Sequence, residues 1–276
     1  MTEQKIKFGL NIIFDKDIYS AIDFASENRF SSIEVWPVAP QFLIENYSKK
    51  ERTKIAKYAE KKKVQIQLHA PEDLNLFSTP QKIRKANLDY YKDLIDFGKD
   101  IKATTLTIHP GKTTVFTFPS MKIVPLFCSY PEYFLPFFKK NLEVLCNYAE
   151  NKVKLCIENA DYFEEPLMKV ISDILSKKKL FLTWDIAKSY NKDGTIKQRE
   201  IDFFLKNIKY IKNIHLHDAT SAPGHHEIIG KGFVDFKFFF EKLKNLDVNY
   251  IIEVRPHSNA IKSRANLLKI LGHNYS

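Results

Sequence analysis

VKLCIENADYFEEPLMKVISDILSKKKLFLTWDIA, residues 153–187, is the stretch on which the fold turns. Two short apolar runs, VKLCIENA and LFLTWDIA, flank EEPLMKVISDILSKK, whose apolar residues recur at helical spacing. Runs this short, with little alternation, suit strands covered on both faces, as in a parallel sheet. Strand, helix and strand together make a βαβ unit. Both runs also finish on a carboxylate, Glu158 in the first and Asp185 in the second.

The same pattern continues towards both ends of the chain. Upstream lie KIKFGLNIIF, SSIEVWP, VQIQLHAP and TTLTIHPG; downstream lie NIHLHDA and NYIIEVRP. Segments with helical periodicity separate them. DIYSAIDFASENRF places Ile18, Ile22, Phe24 and Ala25 on one side, and TPQKIRKANLDYYKDLIDFGKDI opens with Thr79 as a cap and Pro80 at the first helical position. Eight strand–helix pairs in 276 residues match the repeat length of a (β/α)8 TIM barrel. No Pro/Gly/Ser-rich linker divides the chain, so residues 1–276 are expected to form one α/β domain. An open doubly wound sheet is the competing fold. It lacks the Gly-x-Gly-x-x-Gly turn expected after its first strand.

The chain carries a formal net charge of +10, which permits anionic partners, including nucleic acid. Much of that charge lies in runs such as YSKKERTKIAKYAEKKK, where lysines on an amphipathic helix read as a solvated outer face. No segment reaches the roughly 20 apolar residues that span a bilayer, and MTEQKIKFGLNIIF lacks the features of a secretory signal. Cys128, Cys146 and Cys156 show no Cys-x-x-Cys spacing and read as free thiols of a reducing compartment. A cytoplasmic protein without membrane association is expected.

In a barrel of this kind, the C-terminal ends of the strands converge on one mouth. Read in order, the last six ends carry His69, His109, Glu158, Asp185, His215 and Glu253. Three carboxylates gathered in a partly desolvated cavity repel one another at a cost of several kcal/mol, and a dication relieves that repulsion. Along NIHLHDA, His215 and His217 face the same side, with Leu216 opposite. His215 is read as the ligand, His217 as its neighbour or a substrate contact. His226 precedes IIGKG, whose glycines let the loop return to the rim, and His225 reads as surface.

The ordered set LHAP, IHPG, IEN, DIAKS, HLHD, HEIIGKG and IIEV resembles the xylose isomerase-like TIM-barrel superfamily. That group includes sugar isomerases, sugar epimerases and endonuclease IV (AP endonuclease family 2). The resemblance covers essentially the whole chain. It implies a shared metal site made by Glu158, Asp185, His215 and Glu253. Endonuclease IV adds a second zinc at the positions of His69 and His109, with Glu158 bridging. Its third zinc uses a histidine where this chain has Lys188, and an Asp-x-His pair of which only the position of His226 matches, Gly224 standing for the aspartate. A protonated lysine is no metal ligand, so a trinuclear zinc centre is not expected.

Two chemistries follow. The first is a sugar or sugar-phosphate isomerase or epimerase with one or two divalent ions (Zn, Mn or Co), in which Glu158 and Glu253 exchange protons through an enediolate. Lys188 would hold a phosphate or an oxyanion, while His226, His217, Trp36 and Arg255 would contact substrate; Asn11 is a weaker candidate. The second is an endonuclease IV-like phosphodiesterase acting on abasic-site DNA. Other metal-dependent aldose or keto-acid chemistry, or a metal-free binding barrel, completes the range. The partner is accordingly a small sugar or sugar phosphate first and nucleic acid second, and a homo-oligomer is compatible with both. The insert GKTTVFTFPSMKIVPLFCSYPE after His109 carries Phe116, Phe118, Met121 and Phe127 and reads as a lid, a dimer contact or packing on the barrel.

Overall fold

The computed structural model describes residues 6–119, 123–160, 162–177, 179–222 and 225–272. Eight strands close into a parallel barrel: β1 (Lys7–Ile12), β2 (Ser32–Val35), β3 (Gln65–His69), β4 (Thr105–Ile108), β5 (Lys154–Glu158), β6 (Phe181–Asp185), β7 (Ile211–Leu216) and β8 (Asn249–Ile252). Each pairs with its neighbours in sequence, and β8 closes on β1 through Lys7–Leu10 against Asn249–Ile252. Eight helices of at least eight residues alternate with them among the described residues: α1 (Ile18–Glu27), α2 (Lys49–Lys62), α3 (Gln81–Asp100), α4 (Pro131–Ala149), α5 (Glu165–Ser176), α6 (Gln198–Lys206), α7 (Phe236–Leu243) and α8 (His257–Leu271). The chain is therefore a (β/α)8 barrel, and the open sheet is excluded.

Helix starts follow local chemistry. Asp17 caps α1, its carboxylate accepting from Ser20 N at 2.7 Å, and Ser20 closes the reciprocal bond of a capping box. The expected cap at Thr79 is displaced by one residue: Pro80 itself holds the cap position of α3, and no side chain caps there. On α2, Ile55, Ala56 and Ala59 are buried, while Lys49, Lys50, Lys54, Lys57 and Lys61 are exposed. That basic run is a solvated face.

The strands depart from the expectation of little alternation. Polar and apolar residues alternate along most of the strands, Gly9 and Ile251 breaking the pattern, and the polar ones fill much of the inside of the barrel. Gln67 donates across it to Asn213 Oδ1 (3.0 Å) and to Thr105 Oγ1 (2.9 Å), Thr107 bonds Thr183 (2.8 Å), and Asn213 donates to Glu34 Oε1 (2.9 Å). Ile33, Val35, Leu68, Leu106, Ile157, Leu182, Trp184, Ile214 and Leu216 lie in the apolar core, where Trp184 stacks on Phe204 of α6 at 4.8 Å. The hydrophobic core is thus the layer between barrel and helices, and the interior is a hydrogen-bonded polar column beneath the mouth. Such a column is tolerable because most of its polar atoms find partners within it, Gln67 Oε1 and Ser32 Oγ excepted. Gly9 leaves room at its wall for Ser32 Oγ and Ile251 Cδ1, which a Cβ there would displace.

The insert after β4 forms a small antiparallel hairpin, Val115–Thr117 with Ile123–Pro125, followed by one helical turn, Leu126–Ser129. Phe116 and Phe118 are about half exposed, whereas Phe127 is buried against Phe77 with ring centroids 5.2 Å apart. Phe127 therefore packs on the barrel. Met121 lies outside the described residues. No helix among the described residues is long and apolar enough to cross a membrane. All three cysteines are free, Cys146 and Cys156 buried.

Candidate active site

The mouth gathers the predicted strand-end residues around Glu158. This carboxylate, fully buried at the end of β5, meets His69 Nε2 and His109 Nε2, each 3.1 Å from its Oε2. Lys188 donates to its Oε1 at 2.5 Å. His215 Nδ1 lies 3.6 Å from the same Oε1 and 3.5 Å from Glu253 Oε2. His226 Nε2 lies 3.5 Å from Glu253 Oε2. The two acids named for proton exchange thus both approach one imidazole nitrogen.

Asp185 belongs to the neighbouring half of the mouth. Its Oδ2 faces His217 Nε2 at 3.2 Å and Lys188 Nζ at 3.4 Å, while its Oδ1 accepts the backbone N–H groups of Ala187 and Lys188. Asn159 grips it from behind, exchanging both backbone hydrogen bonds with Asp185. Three sets place ligand atoms within 4.8 Å of one another: His69, Glu158 and His215; His217, His226 and Glu253; and Glu34, His215 and Glu253. His217 is as well placed as His215 to meet an ion.

Trp36 lies at the rim against His69, ring centroids 5.3 Å apart, and the Arg255 guanidinium sits over Trp36 at 5.6 Å. Arg255 is held by the Asn11 side-chain oxygen. Asn11 donates in turn to Glu34 Oε2 (3.3 Å) and Glu253 Oε1 (3.4 Å), so this weaker candidate ties two carboxylates together. His226 adopts a left-handed backbone (φ 72°) that turns its ring onto His217, centroids 4.3 Å apart. Gly224 lies outside the described residues, as does the side chain of His225.

Charge balance controls the protonation of the site. Burial, the largest influence on Glu158, acts to raise its pKa, but Lys188, His109 and His215 outweigh it and hold the carboxyl well below the usual range. Glu253 is likewise held low against burial, by His215 and His226. Burial pulls His215 down, yet Glu253, Glu34 and Glu158 carry it well above an ordinary histidine. Lys188 is raised by Glu158 and Asp185 despite its burial. Its charge is thus engaged by two carboxylates, which argues against the free phosphate anchor expected of it.

The donor set fits a divalent ion. His215 Nδ1 is a buried nitrogen with no hydrogen-bond partner, facing two carboxylates. Atoms each about 2.1 Å from a tetrahedral ion lie roughly 3.4 Å apart, close to the separations found here. His69 Nδ1 donates to the Ala70 carbonyl (2.8 Å), which fixes the ring with Nε2 turned towards Glu158. An ion that displaced the Nε2 proton would find this nitrogen already aimed at the carboxylate.

Two buried acids at this end escaped the sequence reading. Glu34, on β2, meets His215 Nε2 at 3.2 Å. Asp218 follows His217 and accepts from Ala219 N, Gly230 N, Gly232 N and Val234 N, pinning the loop that carries His226. The parity of Ser32 and Glu34 in SSIEVWP was the available signal for the first.

A family model described as xylose isomerase-like TIM barrel matches residues 22–271. The chain belongs to that family. Among xylose isomerase-like proteins, it is similar to the uncharacterized protein MJ1311 of Methanocaldococcus jannaschii, 26% identical over 280 residues, spanning 96% of this chain and 89% of that one. It is 25% identical over 280 residues to the probable endonuclease 4 of Mycoplasma mobile, with 90% and 92% of the two chains covered. A D-tagatose 3-epimerase-like protein shares the fold with a TM-score of 0.77, over 96% of this chain and 97% of that one at 24% identity. A sequence relative is thus named for an endonuclease and a protein of the same fold for an epimerase, and the reaction has to be argued from the mouth itself.

Proposed function

We propose that this chain is a metal-dependent isomerase or epimerase of a sugar or sugar phosphate. The observation that carries the reading is the approach of both Glu158 and Glu253 to the unpartnered His215 Nδ1, at 3.6 and 3.5 Å. Glu158, Asp185, His215 and Glu253 would hold the ion, with His217 and His226 within reach. A divalent ion bound there would grip the carbonyl and hydroxyl oxygens of the substrate and acidify the C–H between them.

The side chains divide the proton traffic. Glu253 contacts imidazoles rather than an ammonium group, and we assign it removal of the proton. Glu158 shares its Oε1 with the Lys188 ammonium, and this pair returns a proton to the opposite face. Lys188 also steadies Asp185. Trp36 offers an aromatic face at the rim for the sugar ring, and Arg255 fixes that face.

One observation favours a second reading, an endonuclease IV-like phosphodiesterase. His69 and His109 converge on one oxygen of Glu158, a ready place for a second ion, and the relative in Mycoplasma mobile is named as a probable endonuclease 4. Against it stands Lys188, an ammonium beside Glu158 and Asp185 at the position where a trinuclear centre would need a histidine ligand. Metal analysis of the purified protein, followed by ketohexose epimerisation and abasic-DNA nicking assays, separates the two. One ion with epimerisation and no nicking supports our reading. Two tightly held zinc ions with robust nicking overturn it.

A further inference from the structure

The residue that the geometry singles out beyond this scheme is Glu34. It is completely buried in the barrel wall, one layer below the mouth. Its Oε1 accepts from Asn213 Nδ2 at 2.9 Å and its Oε2 from Asn11 Nδ2 at 3.3 Å, so both oxygens are fixed from two other strands. Against them lies His215 Nε2 at 3.2 Å. Asn213 Nδ2 also lies 3.0 Å from His215 Nε2, but its two hydrogens have oxygen acceptors in Glu34 (2.9 Å) and Thr107 (3.2 Å), whereas Nε2 has both oxygens of Glu34 at 3.2 Å to donate to. A carboxylate can only accept here, so Nε2 keeps its proton, and when the ring gives one up to bind an ion the lone pair appears on Nδ1. Nδ1 is the nitrogen that faces Glu158 and Glu253 without a hydrogen-bond partner.

We infer that Glu34 is a positioning residue: it locks His215 in the tautomer and orientation that present Nδ1 to a metal ion, and its charge strengthens that nitrogen as a donor. The inference rests on the metal-dependent reading above and adds a device to it. A histidine ligand whose far nitrogen is anchored by a carboxylate needs no reorientation when the ion arrives, and the anchor raises its basicity. Asn11 extends the device, because it joins Glu34 to Glu253 and so keeps histidine and acid in register.

The test uses zinc and cadmium alone, with no substrate. Zinc affinity is measured by competition with a chromophoric chelator for the wild type, Glu34→Gln and Glu34→Leu. Glutamine keeps an acceptor but loses the charge, and leucine loses both. The expected losses are graded, about 10-fold and about 100-fold, with the melting temperature of metal-free Glu34→Gln close to wild type. In 15N-labelled protein loaded with 113Cd, coupling is expected to Nδ1 of His215 in the wild type and to be lost or redistributed in Glu34→Leu. Unchanged affinity in both variants, or cadmium coupled to Nε2 in the wild type, overturns the assignment while leaving the metal site standing. A wild type that binds neither metal removes the metal-dependent reading and this role with it.

Discussion

Glu253→Gln preserves the size of the side chain and one acceptor while removing its capacity to take a proton. Loss of one general base lowers turnover by about 10²–10⁴-fold. We expect that loss in steady-state epimerisation with the far-ultraviolet circular dichroism unchanged; an active variant refutes the assignment. A second acid shows its environment through stability. Glu200 on α6 is buried, its carboxylate accepting from Asn159 (2.6 Å) and Ser189 (2.8 Å), and desolvation pushes its pKa up to about 7 from an ordinary 4.5. A carboxyl raised on folding stabilises the protein fully below the unfolded value, and that contribution is lost as pH rises through 7. The shift corresponds to roughly 3 kcal/mol. Glu200→Gln mimics the protonated form, so urea unfolding at pH 5 and pH 8 should show a smaller loss of stability on raising the pH than wild type. Equal pH dependence in the two proteins contradicts the protonated state.

The loop from Asp218 to Val234 shows how an element is held for chemistry. One buried carboxylate gathers four backbone N–H groups, three of them from the segment beyond His226. Removing it in Asp218→Ala strands those donors at a cost of at least about 2 kcal/mol. The destabilisation should appear in urea melts, with faster amide exchange at Gly230 and Gly232 than elsewhere in the barrel. Uniform exchange contradicts the anchoring. The hairpin after β4 behaves differently: Phe127 fixes its base to the barrel, while Phe116 and Phe118 remain solvent-facing. Helix starts followed sequence chemistry at Asp17 but slipped by one residue at Pro80, because proline can occupy the cap as well as the first turn.

At the scale of the whole molecule, the strand–helix alternation was readable because each strand-like run is short and each intervening segment carries a helical stripe. The strand-end histidines and acids were readable for the same reason, since the topology leaves one mouth for them to share. The interior column was not. Glu34 sits between Ile33 and Val35 in a run that reads as apolar, and Asn213 sits beside Ile214, so neither shows its partners until β2 and β7 face each other across the barrel. His226 depended on a left-handed turn that its own letter does not announce. The account as a whole stands on a divalent ion among side chains drawn from β5, β7 and β8. An anomalous difference map at the zinc edge, from crystals grown with zinc, tests it most directly. We predict a principal peak roughly 2.0–2.3 Å from His215 Nδ1 and from oxygens of Glu158 and Glu253; no ordered peak at the mouth, or zinc only on surface side chains, would contradict it.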